Sequence, residues 1–490
     1  MPLGLYISIP FCRTKCSYCN FASDVFSKSA YENYVARLLE DIANSRQLAS
    51  ELGCALGAAH GCTYDETADS IYLGGGTPSI LETTQLLRIF AAVRGHFAVA
   101  PDAEITVECA PGTLTPALIE TLLRCGVNRV SLGVQSFVDQ EAQSVGRLHK
   151  RSTVLEEIGR LRGAGLANIN IDLIAGLPHQ TAESWAFSLS ETIATGVPHA
   201  SVYMLEVDED SRLGRELIAG GARYHAHFVP DEDATADFYQ QACEMLASAG
   251  IAQYEISNFA RTASHSRNGQ LQSNEARHNL KYWTRQPYLG FGVNAHSMLE
   301  RIVWGRAPSR ACPERSRRVQ AERSSAAARA HGNSGFAIAG VEEDRYHAVR
   351  FATPDSLDAY MNRAPHTVTP VSAQAAIEES FFLGLRLNRG IDLKRLRTES
   401  RFWEGHDFSL AVNAAGMTAL AAEATRASRQ EFTPVATWES AIRQCVQDGL
   451  LEQQGTTLRL TARGRLLSNE VFARFLIEET KVGTSHVDPR

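Results

Sequence analysis

No apolar run in this chain approaches the roughly 20 residues that a membrane-spanning helix needs, so nothing in it reads as a transmembrane segment. Positive excess is missing too. The 48 Lys and Arg stand against 55 Asp and Glu, a net charge of −7, and no nucleic-acid partner is expected from so acidic a balance. The start, Met-Pro-Leu-Gly-Leu-Tyr, has no targeting character and enters an apolar segment almost at once. A cytoplasmic location is expected, with peripheral membrane contact left open. A second Cys-x-x-Cys is absent, which argues against the paired knuckles of a structural zinc site. Asn20 rather than histidine follows Cys19, so Cys-x-x-Cys-His attachment of haem is excluded. Ten cysteines in 490 residues without a signal peptide do not suggest a disulfide framework. Cys54, Cys62, Cys109, Cys125, Cys243, Cys312 and Cys445 lack ligand spacing and read as isolated thiols in a reducing compartment.

What is present is a compact triplet, Cys12, Cys16 and Cys19, one residue beyond the apolar segment Leu5–Pro10. Three thiolates can hold three irons of a four-iron cluster and leave the fourth iron without a protein ligand. A fourth cysteine would close such a cluster for electron storage; three leave it open for chemistry.

The length allows two or three domains. From residue 1 to about 300, apolar strands alternate with helical stretches. Leu5–Pro10, Ser70–Gly76, Glu104–Pro111, Arg129–Ser136, Asn168–Gly176 and His199–Val207 read as buried strands, with helices at Tyr31–Arg46, Thr83–Phe97, Thr115–Cys125, Thr153–Ala164 and Thr181–Thr195. This is an α/β pattern. Six such units suit a parallel sheet curled into a partial (β/α)6 barrel better than a closed eightfold one. Residues 301–345 are crowded with Arg306, Arg310, Arg315, Arg317, Arg318, Arg323 and Arg329 among Ala and Ser. That composition reads as a basic, low-complexity, disordered insertion rather than a patch for an acidic partner. Gly53–Asp69 reads as a second surface excursion. From 346 to 490 a small α+β domain is expected. Ala373–Leu387 is an amphipathic helix, and Trp438–Asp448, Gly449-Leu-Leu, Leu458-Arg-Leu-Thr and Gly464–Phe475 give a winged-helix-like order that suits packing better than nucleic-acid contact.

Polar residues gather at the C-terminal strand ends, where such sheets bind ligands. The second strand ends Tyr72-Leu-Gly-Gly-Gly-Thr-Pro-Ser79, the third at Glu108, the fourth at Gly133-Val-Gln135-Ser136, and the fifth carries Asp172; Arg147 follows the fourth. Singly, each is ordinary turn or cap chemistry. Together they form a rim of backbone groups, carboxylates and one guanidinium beside the cysteines, suited to a ligand with both charges.

The cysteine triplet, the Gly-Gly-Gly-Thr-Pro strand end, Gly-Val-Gln-Ser-Phe and Ile-Asp-Leu-Ile-Ala-Gly-Leu-Pro together resemble the radical S-adenosylmethionine (radical SAM) superfamily. Within it they resemble the family of oxygen-independent coproporphyrinogen III oxidase and the related haem chaperones. The resemblance covers nearly the whole chain apart from the basic insertion. It implies that Cys12, Cys16 and Cys19 ligate a [4Fe–4S] cluster and that S-adenosylmethionine chelates the open iron as an exchangeable ligand. It also implies cleavage of the sulfonium to a 5′-deoxyadenosyl radical by one electron from the cluster, which a separate donor reduces. Tyr6, Gly75, Gly76, Thr77 and Glu108 match positions around that molecule. Tyr18, Gln135, Arg147 and Asp172 match positions that help hold a second one in the oxidase.

The two branches part at a few residues. The oxidase pattern has a fourth cysteine two residues after the third, where this chain has Phe21. The segment His278-Asn-Leu-Lys-Tyr-Trp283 resembles the chaperone branch, which implies His278 as a haem ligand; without the resemblance, a His-Asn pair ordering a loop explains it as well. Leu460–Phe472 again resembles the chaperones, and its Asn469 and Glu470 either meet the barrel mouth or cap a helix. The expectation is therefore a haem chaperone on a radical SAM core, with haem and acceptor haemoproteins as partners. The alternative is oxidative decarboxylation of coproporphyrinogen III to protoporphyrinogen IX. Radical modification of RNA is disfavoured by the acidic balance.

Overall fold

Alternate residues of the first strand, β1 (Leu3–Ile9), are aliphatic, and Leu3, Leu5, Ile7 and Ile9 are all fully buried. The same period recurs in β2 (Thr67–Gly75), β3 (Ala98–Cys109), β4 (Arg129–Gln135), β5 (Ile169–Ala175) and β6 (His199–Met204). The computed structural model describes residues 1–54, 67–261, 264–265, 271–300, 346–397 and 434–476. In it these six strands pair in parallel and in chain order, as the alternation of strand and helix predicts. Burying one Leu or Ile stabilises by about 1.5–3 kcal/mol, so the aliphatic faces decide which side of the sheet the helices cover.

Those helices are α1 (Lys28–Glu51), α2 (Thr83–His96), α3 (Pro116–Arg124), α4 (Asp139–Ser144), α5 (Arg151–Gly163) and α6 (Ala182–Thr195). Local chemistry sets their ends. The Thr115 side chain accepts from the Leu118 amide ahead of Pro116, and Thr181 and Ser184 cap one another's backbone at the start of α6. Gly196 closes α6 with φ +67°.

After β6 come α7 (Arg212–Ile218), a 3-10 turn at Arg223–Phe228, α8 (Glu232–Ser248), β7 (Ile251–Gln253) and β8 (Asn258–Arg261), which pairs antiparallel with β6. Then α9 (Arg277–Trp283) leads to β9 (Tyr288–Phe291), parallel to β1 on its other side. The sheet continues antiparallel through β10 (His296–Glu300), β11 (Tyr346–Ala352) and β12 (Thr367–Ser372), with α10 (Leu357–Met361) between the last two. Its twelve strands run β12-β11-β10-β9-β1-β2-β3-β4-β5-β6-β8-β7.

Contacts divide the chain into two units. The first is Met1–Tyr282 with Gln286–Ser372; the second is Trp283–Arg285 with the described residues from Ala373 on. The sequence places the last boundary at 346. Tyr346–Ser372 instead extend the first unit's sheet, because β11 pairs with β10 along its length and buries Ala348, Val349 and Phe351. The second unit holds α11 (Ala373–Gly384), β13 (Ile391–Asp392), α12 (Pro434–Gln447), β14 (Leu451–Gln454), β15 (Thr457–Leu460), α13 (Ala462–Leu466) and α14 (Ser468–Ala473). It has the expected helix, hairpin, helix order, with the last helix broken at Leu467, around a core of Phe381, Trp438 and Phe475. The basic insertion at 301–345 lies outside the described residues. So do residues 55–66, most of the excursion expected at Gly53–Asp69.

Candidate functional site

The second face of the six parallel strands is polar. Register aligns Tyr6 with Tyr72, Ser70 with Glu104, Thr106 with Arg129, Glu108 with Ser131, Gly133 with Asp172, and Asn170 with His199. Hydrogen bonds cross these strands. Tyr72 Oη donates to Glu108 at 2.8 Å, Ser131 Oγ to Asp172 at 2.9 Å, and Asn170 Nδ2 to Ser131 Oγ at 2.7 Å; within β5, Asn170 Nδ2 also donates to Asp172 at 2.6 Å. His199 sits between the Asn170 amide oxygen at 2.6 Å and Tyr254 Oη at 3.0 Å. The sequence reading took these strands as aliphatic and missed the inner face. Its signal is the strict alternation of Glu104-Ile-Thr-Val-Glu108, Arg129-Val-Ser-Leu-Gly133 and His199-Ala-Ser-Val-Tyr203.

At the C-terminal end of β1 the cysteines occupy a loop tied down on several sides. The Cys12 amide donates to Asp24 O at 3.0 Å, the Ser17 amide to Val145 O at 3.1 Å, and the Leu213 amide of α7 to Ser17 O at 2.8 Å. Lys15 Nζ donates to the carbonyls of Phe21 and Ser23, each at 2.7 Å. Cys12, Cys16 and Cys19 are free thiols. Thr77 Oγ1 donates to Cys12 Sγ and an Arg147 Nη to Cys16 Sγ, each at 3.7 Å. Burial pushes the Cys12 thiol up, against hydrogen bonds from Ser23 and Thr77. Among the described residues no three His, Cys, Asp or Glu converge on a point as a single metal ion would require.

The glycine strand end meets this loop directly. The Gly76 amide donates to Ile9 O at 2.8 Å and the Thr77 amide to Phe11 O at 2.7 Å. A Cβ on Gly76 would lie 2.7 Å from Phe11 O and 3.0 Å from Cys12 Sγ, and Gly75 has φ +104°. Side chains are thus excluded from this stretch on steric grounds. The Gly75 amide donates to Glu108 at 3.1 Å. Burial, with the Asp172 charge adding to it, raises the Glu108 pKa to about 8 despite the bonds from Tyr72 and Gly75. Asp172 is also raised, chiefly by burial. Tyr6 stacks near Tyr72, ring centroids 6.2 Å apart. Arg147 donates to Gly133 O as well as to Cys16, yet its buried Nε has no partner among the described residues. Tyr18 packs on Val145, Ile174 and Leu177. Gln135 ends β4 at φ +69°, at a register shift against β5. A non-glycine residue in that region is strained and is held there by its surroundings.

The cysteines, Tyr18, Gly75, Gly76, Thr77, Glu108, Gln135 and Arg147 therefore lie at or just past the C-terminal strand ends, while Tyr6 and Asp172 sit mid-strand on the polar face below them. Two half-buried carboxyl groups and a half-buried guanidinium whose Nε lacks a partner among the described residues, beside an open glycine edge, fit a ligand that carries a sulfonium, an ammonium and a carboxylate. Three free thiols next to it fit the ligand set of an open four-iron cluster.

His278 is not part of that rim. It lies on α9, 1% exposed, beneath the rim, with its ring 6.3 Å from that of Tyr6. Nδ1 is 3.1 Å from Ser70 Oγ and Nε2 is 2.8 Å from Tyr282 Oη, while the ring stacks on Tyr72 at 5.4 Å. Burial lowers its pKa to about 3. As placed, neither ring nitrogen is free to meet an iron. Asn469 and Glu470 lie exposed on α14 of the second unit.

The radical SAM superfamily pattern matches residues 6–189. The haem chaperone HemW of Synechocystis sp. is 34% identical over 312 residues, covering 63% of this chain and 69% of that protein. HemW of Escherichia coli is 33% identical over 296 residues, covering 60% and 70%. HemW of Bacillus subtilis is 28% identical over 474 residues, covering 96% and 99%. Among solved structures, the radical SAM coproporphyrinogen III oxidase HemN of Escherichia coli shares the fold, with a TM-score of 0.66 at 20% identity over 97% of this chain and 90% of that one.

Proposed function

Because the chain belongs to the HemW family of radical SAM proteins, we propose that it is a haem chaperone, binding haem and passing it to acceptor haemoproteins. Phe21 carries the choice between chaperone and oxidase. It stands where the oxidase pattern has its fourth cysteine, and it is 62% exposed on the loop that bears the triplet. The fold itself is common to both branches and does not choose between them.

Cys12, Cys16 and Cys19 would hold the [4Fe–4S] cluster, which when bound supplies an open iron for S-adenosylmethionine and an electron for sulfonium cleavage. Thr77 and Arg147 donate hydrogen bonds to two of the three sulfurs and so would orient them toward a bound iron. A cationic ligand beside Glu108 and Asp172 would draw these raised carboxyls toward their ionised forms and pair with them, and Arg147 would supply the cation for its carboxylate. Gly75 and Gly76 keep the backbone edge clear of side chains. The cluster then needs an electron donor, and haem is cargo rather than a resident group.

The test is anaerobic cluster reconstitution, with haem titration, transfer to an apo-haemoprotein and coproporphyrinogen oxidation measured on one preparation. Haem uptake and transfer without protoporphyrinogen formation is the expected result. Turnover to protoporphyrinogen IX with no haem uptake would replace the chaperone with the oxidase.

A further inference from the structure

A cluster of histidines and aromatics stands on the rim, outside the residues used above. His179 follows β5, and His225, His227 and Phe228 lie in the 3-10 turn after α7. His179 Nε2 is 3.2 Å from His225 Nδ1, and their rings are 5.1 Å apart. The Phe228 ring lies tilted against His179 and His227, with centroids 4.1 Å and 4.0 Å away. The His179 amide also donates to Phe228 O at 2.9 Å. Tyr224 and Phe228 are 41% and 48% exposed, and His225 is exposed between them. Three non-glycine residues here adopt left-handed backbone: His179 (φ +69°), Tyr224 (+54°) and His225 (+59°). Such conformations cost energy and tend to gather at ligand sites.

The patch adjoins the cysteine loop. Leu177, two residues before His179, packs with Tyr18, and α7, which precedes the turn, holds Ser17 by a backbone hydrogen bond.

We propose that His225 is the axial ligand through which this chain holds haem iron at the barrel rim, with His179 as the positioning residue that fixes its tautomer. The proposal rests on the chaperone reading. In the facing pair, a proton on His225 Nδ1 donated to His179 Nε2 leaves the His225 Nε2 lone pair outward. This is the arrangement by which a second hydrogen bond orients a metal-bound imidazole. Burial and the neighbouring His225 and His227 lower the His179 pKa, which keeps it a neutral acceptor near pH 7. Phe228 and Tyr224 offer exposed ring surface to a flat apolar macrocycle. Arg212 and Arg223, exposed on the same two elements, supply charge for propionates. An exposed ligand also suits cargo that must leave, whereas the nitrogens of His278 are both committed inside the barrel. Cis ligation of one metal ion would also suit a 3.2 Å nitrogen separation, but among the described residues no third ligand converges there.

The experiment is hemin titration of the reconstituted full chain, followed by the Soret band, for wild type, His225→Asn, His179→Asn and His278→Ala. Asparagine tolerates left-handed backbone, so the turn is kept. His225→Asn is expected to weaken hemin binding at least tenfold and to lose the imidazole-type Soret position, which added imidazole restores. His179→Asn should bind with a broadened, mixed-ligand spectrum, and folded His278→Ala should keep the wild-type band. If His225→Asn titrates like wild type with an unchanged band, His225 is not the ligand, while the chaperone reading stands. If wild type itself takes up no hemin, both fail.

Discussion

Two hydrogen bonds reach the Glu108 carboxylate, from Tyr72 and from the Gly75 amide, yet burial and the Asp172 charge still raise its pKa to about 8. Its ordinary value is 4.5, so the folded chain holds this proton more tightly than the unfolded chain does. The resulting stability is complete below the unfolded value and is lost as pH rises through about 8. Glu108→Gln should therefore leave the ligand-free chain more stable than wild type at pH 8.5, by on the order of 3 kcal/mol, with the gap closing toward pH 5. Thermal melts across that range read it directly. The same variant should lose S-adenosylmethionine affinity at least tenfold, because an amide cannot pair with a sulfonium or ammonium. A variant less stable than wild type at every pH would mean that Glu108 is a structural acceptor for Tyr72 and Gly75, not a poised carboxylate.

At the scale of elements, α9 closes the floor of the barrel. His278 reaches Ser70 and stacks on Tyr72, its backbone amide donates to Glu104 at 3.2 Å, and Lys281 pairs with Asp69 at 2.7 Å and with Pro2 O at 2.9 Å. His278→Ala should cost about 2–4 kcal/mol, since it removes a buried ring and strands two hydrogen-bond partners. The acid limb separates this role from haem binding. The folded pKa of His278 is lowered to about 3 from 6.5, so its contribution is full above 6.5 and is lost as pH falls toward 3. Wild type should lose about 1.4 kcal/mol per pH unit through this group, and the variant should not. An unchanged melting temperature in His278→Ala would remove the floor role. The strands and helices of the barrel were legible because aliphatic runs, Gly and Thr-Pro punctuation are local. The rim residues at the strand ends were legible for the same reason once strand order was known. The floor was not: Ser70 and His278 lie 208 residues apart, and nothing local in either says that they meet. The rim histidines were passed over because no spacing links His179 to His225; the contact depends on α7 bringing the turn back to β5.

For the whole molecule, the described strands on either side of the basic segment say what that segment joins. Glu300, the last residue of β10, pairs with Ala348 of β11 in an antiparallel ladder. Residues 301–345 thus join two strand ends that already lie side by side, a junction that a hairpin turn of about two to five residues can make. Loop closure grows by only about 0.6 kcal/mol per doubling of length, so shortening this connection to about six residues spans roughly three doublings and should stabilise by about 2 kcal/mol. Replacing 301–345 with a short Gly-Ser linker is therefore expected to keep the sheet, raise the melting temperature slightly and leave hemin titration unchanged. The replacement also removes Arg306, Arg310, Arg315, Arg317, Arg318, Arg323 and Arg329. If those charges serve an anionic partner, the linker variant would fold and bind haem normally but lose salt-sensitive binding to RNA or acidic vesicles that wild type shows. A variant that fails to fold would mean that the segment contributes to the sheet it interrupts, and the description of 301–345 as an insertion would have to be abandoned.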